Sequence, residues 1–252
     1  MSEFVKKLNQ VSHGAGHTIG FGAVSKPKTT PMLLIARLTS MDEDSSTAAV
    51  SGKVDALLYD IKDSAGQAYT LAKLAENDDK IPWGVRLQKA SIEGINRLAE
   101  AGCDFVILDP EAAAGVLQEE TMGKVLEAGV ALGDGLVRAI GQLSVDALLL
   151  TEDKQSGSLT INQLINYQRI SGFAGKPLLA FLPRELSDLE VLLDAGIKGV
   201  VMDLSVKDME ARLKEVQEAI QKLSGLKKRK AKGGDYPVLP SSTPASNEVD
   251  DY

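Results

Sequence analysis

Charged residues close the short apolar runs of this chain. Arg37 lies at the end of the run Met32–Leu38, Asp60 near the end of Asp55–Ile61, and Arg86 near the end of Trp83–Leu87. Asp109 closes Asp104–Asp109, and Asp203 closes Gly199–Asp203. Glu127 lies within Lys124–Ala128, Glu152 and Asp153 follow Thr151, and Arg184 and Glu185 follow Leu182. Guanidinium groups beside carboxylates have three uses. Arginines can hold a small anion through forked hydrogen bonds while a carboxylate moves a proton. On that reading Arg37, Asp60, Arg86 and Arg184 bind substrate, and Asp109 and Asp203 are the acid–base residues. Carboxylates can instead hold a hard divalent cation such as Mg²⁺ or Mn²⁺, with Asp109, Glu127 and Asp203 as ligands and Asp60 beside them. Or the charges pair with one another as a structural network. All three remain open at this level.

Other chemistry has weaker support. His13 and His17, the only histidines, have a His-x3-His spacing that could ligate a metal on a helix, but Gly14 and Gly16 between them disfavour one. Gly14, Gly16, Gly20 and Gly22 do not form a nucleotide loop, because no strand precedes them and no Gly-Lys-Ser/Thr follows. No serine nucleophile elbow, zinc-type cysteine cluster or kinase motif is present. Lys62 and Lys89 could form Schiff bases only if desolvated; solvated lysines are the commoner case. Cys103, the only cysteine, precludes an intrachain disulfide and reads as a buried structural thiol in a reducing compartment. Trp83 and Tyr59 read as core or wall residues.

The elements that must position these charges are strands alternating with helices. Eight short apolar runs read as parallel strands buried on both faces: Met32–Leu38, Asp55–Ile61, Trp83–Leu87, Asp104–Asp109, Lys124–Ala128, Asp146–Thr151, Leu178–Leu182 and Gly199–Asp203. Helices are expected over Ser64–Asn77, Ser91–Ala101, Leu159–Ser171, Leu186–Ala195 and Ser205–Ser224, and over Glu3–Val11, which would cover the bottom of a pore. A short extended piece is expected at Ile19–Val24. Ser91 with Gly94, and Ser187-x-x-Glu190 as a capping box, mark helix starts; Ala101-Gly102 and Ala195-Gly196 mark helix ends. Val54–Leu58 recurs unchanged at Val145–Leu149, and Pro82–Pro110 reads like Pro177–Ser205, offsets of 91 and 95 residues. Self-similarity of this kind indicates repeated architecture. The pattern predicts an α/β fold, a (βα)8 TIM barrel built from two half-barrel repeats; an open doubly wound sheet is the alternative. In a barrel, a charge near the end of a strand would be badly desolvated under the helices. Arg37, Arg86, Asp109 and Asp203 are therefore expected to point into the pore mouth, with Asp109 and Asp203 facing each other across it.

Residues 1–31 then form an N-terminal helix and irregular segment, 32–225 the barrel, and 226–252 a disordered tail, basic at first and acidic at its end. A chain of this length is ordinary for one barrel domain. The net charge of −7 argues against general nucleic-acid binding. No secretory leader and no apolar run long enough to span a membrane is seen, so a cytoplasmic location is expected. The expected partner is a small anionic metabolite, with neither nucleic acid nor membrane. A homo-oligomer and a protein partner for the tail stay open.

Ala101-Gly102-Cys103-Asp104-Phe105-Val106-Ile107-Leu108-Asp109, together with the doubled halves, resembles the ribulose-phosphate-binding type of barrel. Histidine-biosynthesis isomerase and cyclase barrels are its two-half members. The resemblance spans roughly residues 32–204 in architecture. It implies catalytic aspartates on the first and fifth strands, where this chain has Arg37 and Glu127. It also implies glycine-rich phosphate loops, where this chain has Leu182-Pro183-Arg184-Glu185 and Asp203-Leu204-Ser205-Val206. Leu108-Asp109-Pro110-Glu111 is similar over a few residues to the acid-bearing strand end of metal-dependent pyruvate aldolases, on a different strand. The function expected is anion binding at the mouth with lyase or isomerase chemistry; the alternative is a non-catalytic barrel acting as a structural or interaction subunit.

Overall fold

Eight parallel strands close on themselves in sequence order, each hydrogen-bonded to the next and β8 back to β1. The computed structural model describes residues 2–13, 30–38, 52–61, 81–87, 90–152, 158–204 and 209–232, with side chains described for 2–12 in the first segment and 210–223 in the last. The strands are β1 (Leu33–Leu38), β2 (Ala56–Ile61), β3 (Trp83–Leu87), β4 (Phe105–Leu108), β5 (Gly123–Gly129), β6 (Ala147–Thr151), β7 (Leu178–Phe181) and β8 (Ile197–Asp203). The described helices are α1 (Glu3–His13), α2 (Ile92–Glu100), α3 (Asp134–Gly141), α4 (Ile161–Ala174), α5 (Asp188–Asp194) and α6 (Met209–Lys232). Closure rules out the open doubly wound sheet. Every expected strand is present, with ends shifted by two residues at most. The expected helix Ser64–Asn77 and the piece Ile19–Val24 lie outside the described residues.

Strand alternation divides the apolar residues into two layers. Leu33, Ile35, Leu58, Ile107, Val125, Leu149, Leu179 and Val201 point into the pore. Leu34, Ala36, Leu57, Val85, Val106, Leu148 and Val200 face the surrounding helices. Both faces are dry, which is why the strands read as continuous apolar runs rather than alternating ones. Phe4, Val5, Leu8 and Val11 of α1 join the pore layer, so α1 plugs the bottom of the barrel, as its apolar spacing indicated. Asp104, just before β4, fixes the plug. Its carboxylate accepts hydrogen bonds from the Ser2 hydroxyl (2.7 Å) and from the Glu3 and Phe4 N–H groups (2.8 and 2.9 Å). These N–H groups open α1 and have no partner within the helix, so Asp104 caps it across the fold. Asp104→Ala is expected to cost about 1–2 kcal/mol, the usual scale for a lost cap, seen as a Tm lower by a few degrees; an unchanged Tm would show that α1 is seated by its apolar face alone.

The repeated pentapeptide occupies corresponding places at the starts of β2 and β6. Asp55 accepts the Leu34 N–H at 2.9 Å and Asp146 accepts the Lys124 N–H at 2.8 Å. Each aspartate thus fastens the start of its strand to the one before. Burial lifts the Asp55 carboxyl above its usual range, against the pull of the Leu34 N–H and of Lys7.

The helix ends follow the expected signals with one exception. Ser91 accepts from the Gly94 N–H and caps α2, and Gly102 and Gly196 have φ of 84° and 100° where α2 and α5 end, the left-handed conformation that favours glycine. The capping box expected at Ser187 and Glu190 does not form. Ser187 already has helical backbone angles (φ −60°, ψ −27°) and makes no side-chain cap, because a cap needs an extended residue to turn its oxygen back on the helix. The capping box is instead at Thr160 and Gln163, opening α4. Between β4 and β5 a 3-10 helix, Ala114–Gln118, stands in place of a longer helix. The buried Lys124 ammonium closes its end, donating to the carbonyls of Leu117 (3.0 Å) and Glu119. Cys103 is buried, its thiol directed at the Phe105 carbonyl, and burial pushes its pKa far up, so it is structural as expected. Trp83 and Tyr59 are buried and meet edge to face, ring centroids 6.4 Å apart. Helix α6 continues through the basic stretch to Lys232; residues 233–252 lie outside the described residues.

Candidate active site at the barrel mouth

The inward series on β1, β2, β3 and β5 ends in a charged group. Arg37 follows Leu33 and Ile35, Asp60 follows Ala56 and Leu58, Arg86 follows Gly84, and Glu127 follows Gly123 and Val125. Register sets Arg37 beside Asp203 and Asp60 beside Arg86. The result is a chain of alternating charge across the mouth. Arg37 donates to Asp60 Oδ2 through Nε (3.0 Å) and Nη2, and its Nη1 lies 3.8 Å from Asp203 Oδ2. Arg86 reaches past β4 and makes a two-pronged bond to Glu127, Nε to Oε1 at 2.5 Å and Nη2 to Oε2 at 2.9 Å. Its Nη1 lies 3.9 Å from Asp60 Oδ2. The Glu127 side chain is 11% exposed and Arg86 29%. The hydrogen bond to Glu127 raises the Arg86 pKa against the opposing effect of burial, so the guanidinium stays charged.

Two features of this network bear on chemistry. Each arginine uses Nε and Nη2 on a carboxylate and leaves Nη1 beyond hydrogen-bond distance of one, so among the described residues no carboxylate takes the Nη1 donor of either guanidinium. Asp60 Oδ1 is buried and has no hydrogen-bond partner among the described residues, an unusual state for a carboxylate oxygen.

A cavity of about 400 Å³ opens from this network. It runs from Arg37, Arg86, Thr151 and Phe181 over the ends of β6 and β7 to Leu150, Leu159, Leu192 and Arg184. The Arg37 guanidinium lies 5.7 Å from the centroid of the Phe181 ring, within reach of a cation–π attraction. Glu152 stands on the wall, its Oε1 accepting from the Tyr167 hydroxyl at 2.8 Å and its Oε2 from the Gln163 amide. Gln163 is also the residue that completes the capping box of α4, so the start of the helix and the orientation of Glu152 are set by one side chain. Burial, reinforced by Glu152, pushes the Tyr167 pKa far up, and the phenol remains a donor.

The expected residues are thus distributed unevenly. Arg37, Asp60, Arg86, Glu127 and Asp203 form the network; Arg184 is exposed and lines the far side of the cavity. Asp109 turns aside: its Oδ1 accepts the Glu111 N–H at 2.8 Å within its own loop, though its charge is felt at Arg86. Among the described residues no three of His, Cys, Asp and Glu gather as a metal-holding group; Glu127 is engaged by Arg86 and Asp109 by its loop. His13 ends α1 at the bottom of the barrel; His17, Lys62, Lys89, Asp153 and Ser205 lie outside the described residues. Tyr167 and Gln163 had no signal in the sequence, since only the docking of α4 on β6 brings them to Glu152. Among the described residues no helix is long and apolar enough to cross a membrane.

No family model matches this chain, and no curated protein matches it in sequence. Solved structures do. A variant of the tryptophan synthase alpha-subunit from the hyperthermophile Pyrococcus furiosus superimposes with a TM-score of 0.60 at 14% identity, over 77% of this chain and 98% of that one. The chain is a TIM barrel. Thiamine phosphate pyrophosphorylase from Pyrococcus furiosus matches at 0.58 and 14% identity, over 76% and 96% of the two chains. A cube-shaped, porous protein cage designed by fusing symmetric oligomeric domains matches at 0.63 and 15%, over 81% and 77%. Neighbours of this TIM barrel therefore include enzymes, but at these identities the likeness is one of fold, which hosts many unrelated functions.

Proposed function

We propose that this TIM barrel binds a small anionic metabolite at its mouth and acts on it by proton transfer, as a lyase or isomerase does. Arg37 and Arg86 hold the anion with Arg184 beyond them, Asp60 positions Arg37 for it, and Asp203 is the acid–base group, a role Asp109 would share only by leaving its bond to the Glu111 N–H. The observation that carries this reading is the cavity at the C-terminal ends of the strands, lined by two arginines that carboxylates hold in place, where this fold places its chemistry. A carboxylate or phosphate entering there would meet donors already oriented by Asp60 and Glu127, so little ordering cost would remain.

A second reading has its own support. Both arginine forks are closed on carboxylates, as in a network that only caps the core, and such a barrel would serve as a structural or interaction subunit. Thermal-shift titration of wild type and Arg86→Ala against phosphorylated and carboxylated metabolites, with and without Mg²⁺, separates the two. Binding only to the folded state raises Tm. A ligand that raises the wild-type Tm and not that of Arg86→Ala supports the site; no shift across the set, with Arg86→Ala merely less stable, supports the structural network.

A further inference from the structure

The cavity has two chemically different ends. At the pore, Arg37 and Arg86 supply positive charge. Beyond the ends of β6 and β7 its walls are mainly Leu150, Leu159, Leu182 and Leu192, with the exposed Arg184 on their far side. Leu150 faces away from the pore, in the layer between sheet and helices, so the cavity leaves the barrel axis and passes outward beneath α4 and α5. The apolar end belongs to the fold and not to the charge network, and a ligand consisting of an anion alone would leave it unfilled. We infer that the ligand is an amphipathic anion: a carboxylate or monophosphate head on the arginines, with an aliphatic body lying outward against Leu159, Leu182 and Leu192. This inference rests on the anion-binding reading above and adds the ligand's shape and class to it. Apolar pockets with a few convergent polar groups are the usual form of a small-molecule site. Glu152, held by Tyr167 and Gln163, flanks the cavity and repels a second anionic group there, which selects ligands charged at one end.

The test is a chain-length series measured by calorimetry on the full chain: acetate, butanoate, hexanoate and octanoate, with inorganic phosphate, butyl phosphate and hexyl phosphate as the second arm. Burial of each methylene contributes about 0.8 kcal/mol, so affinity is expected to rise roughly fourfold per carbon until the cavity is full, in whichever arm carries the preferred head. Leu159→Gln and Leu182→Gln, both at partly buried positions, are expected to flatten that rise, so that the ratio of hexanoate to acetate affinity, or of hexyl phosphate to phosphate, falls by about tenfold or more within each variant. Two variants are used so that a folding defect in one does not end the test. Short and long anions binding equally to wild type would overturn the amphipathic ligand and leave the anion site standing. A chain-length rise unchanged in both variants would also overturn it, because the body would then lie elsewhere. No binding by any member of either arm would remove the anion site and this inference together.

Discussion

Arg86→Ala is expected to lower the unfolding free energy by about 2–4 kcal/mol, below the full scale for breaking a buried ion pair because Arg86 keeps some contact with water. The loss comes less from the missing arginine than from what it leaves behind. Glu127 is 11% exposed and both its oxygens accept from Arg86. Without that partner a desolvated carboxylate would face the apolar pore. The companion double variant, Arg86→Met with Glu127→Leu, removes both charges and is expected to recover most of the lost stability, since replacing a buried pair with apolar groups is often neutral or stabilising. Urea unfolding of the two single variants and the double one gives the coupling directly. A single variant costing under about 1 kcal/mol would place the pair among solvent-screened surface bridges. The same variants separate stability from function: the double variant is expected to fold and to bind anions about tenfold more weakly or worse, because Arg37 is left without the second guanidinium across the mouth.

Phe105→Ala is expected to be the most damaging single change in the pore, at about 3–5 kcal/mol. Phe105 is fully buried and stacks on Phe4 of α1 with ring centroids 4.1 Å apart and planes 21° from parallel. Its ring occupies space that Gly84 leaves open: a Cβ at Gly84 would lie 2.6 Å from two ring carbons. On the other side, a Cβ at Gly123 would meet Val5 at 2.6 Å and the Phe105 Cβ at 3.2 Å. Two glycines thus make room for one phenyl ring and for the helix beneath it. Truncation would leave a cavity that neither glycine can fill and would remove the surface on which α1 rests. Phe105→Leu, which keeps most of the volume, is expected to cost less than half as much. The measurement is equilibrium unfolding of both variants, with proteolysis near residue 13 reporting release of α1. Equal costs for Ala and Leu would mean that the ring is not closely packed.

Much of the architecture was legible because it follows from local periodicity. Continuous apolar runs with helical segments between them specify parallel strands covered on both faces. Phe4, Val5, Leu8 and Val11 announced a helix with one apolar face, and a barrel has a place for one such helix, at the bottom of its pore. The inward direction of Arg37 and Arg86 was also readable, since the alternative was burial of a charge beneath a helix. Ser187 misled because a capping box is recognised by residue types, whereas a cap also needs an extended backbone, and the turn before α5 made Ser187 helical.

What the sequence determined by itself was therefore the number, type and order of the elements, and which residues could carry charge to the mouth. What only the tertiary structure decided was how those charges are spent. Closing the barrel fixes the register, and register sets Asp60 beside Arg86 and Arg37 beside Asp203 and lets Arg86 reach past β4 to Glu127. The same packing leads the cavity outward between sheet and helices, to Leu159 and Leu192, and brings Tyr167 and Gln163 to Glu152. The reason is one of range. Side-chain period and capping are set by neighbours along the chain, whereas the arginine–carboxylate pairings join residues 23 positions apart or more and exist only once the strands have met.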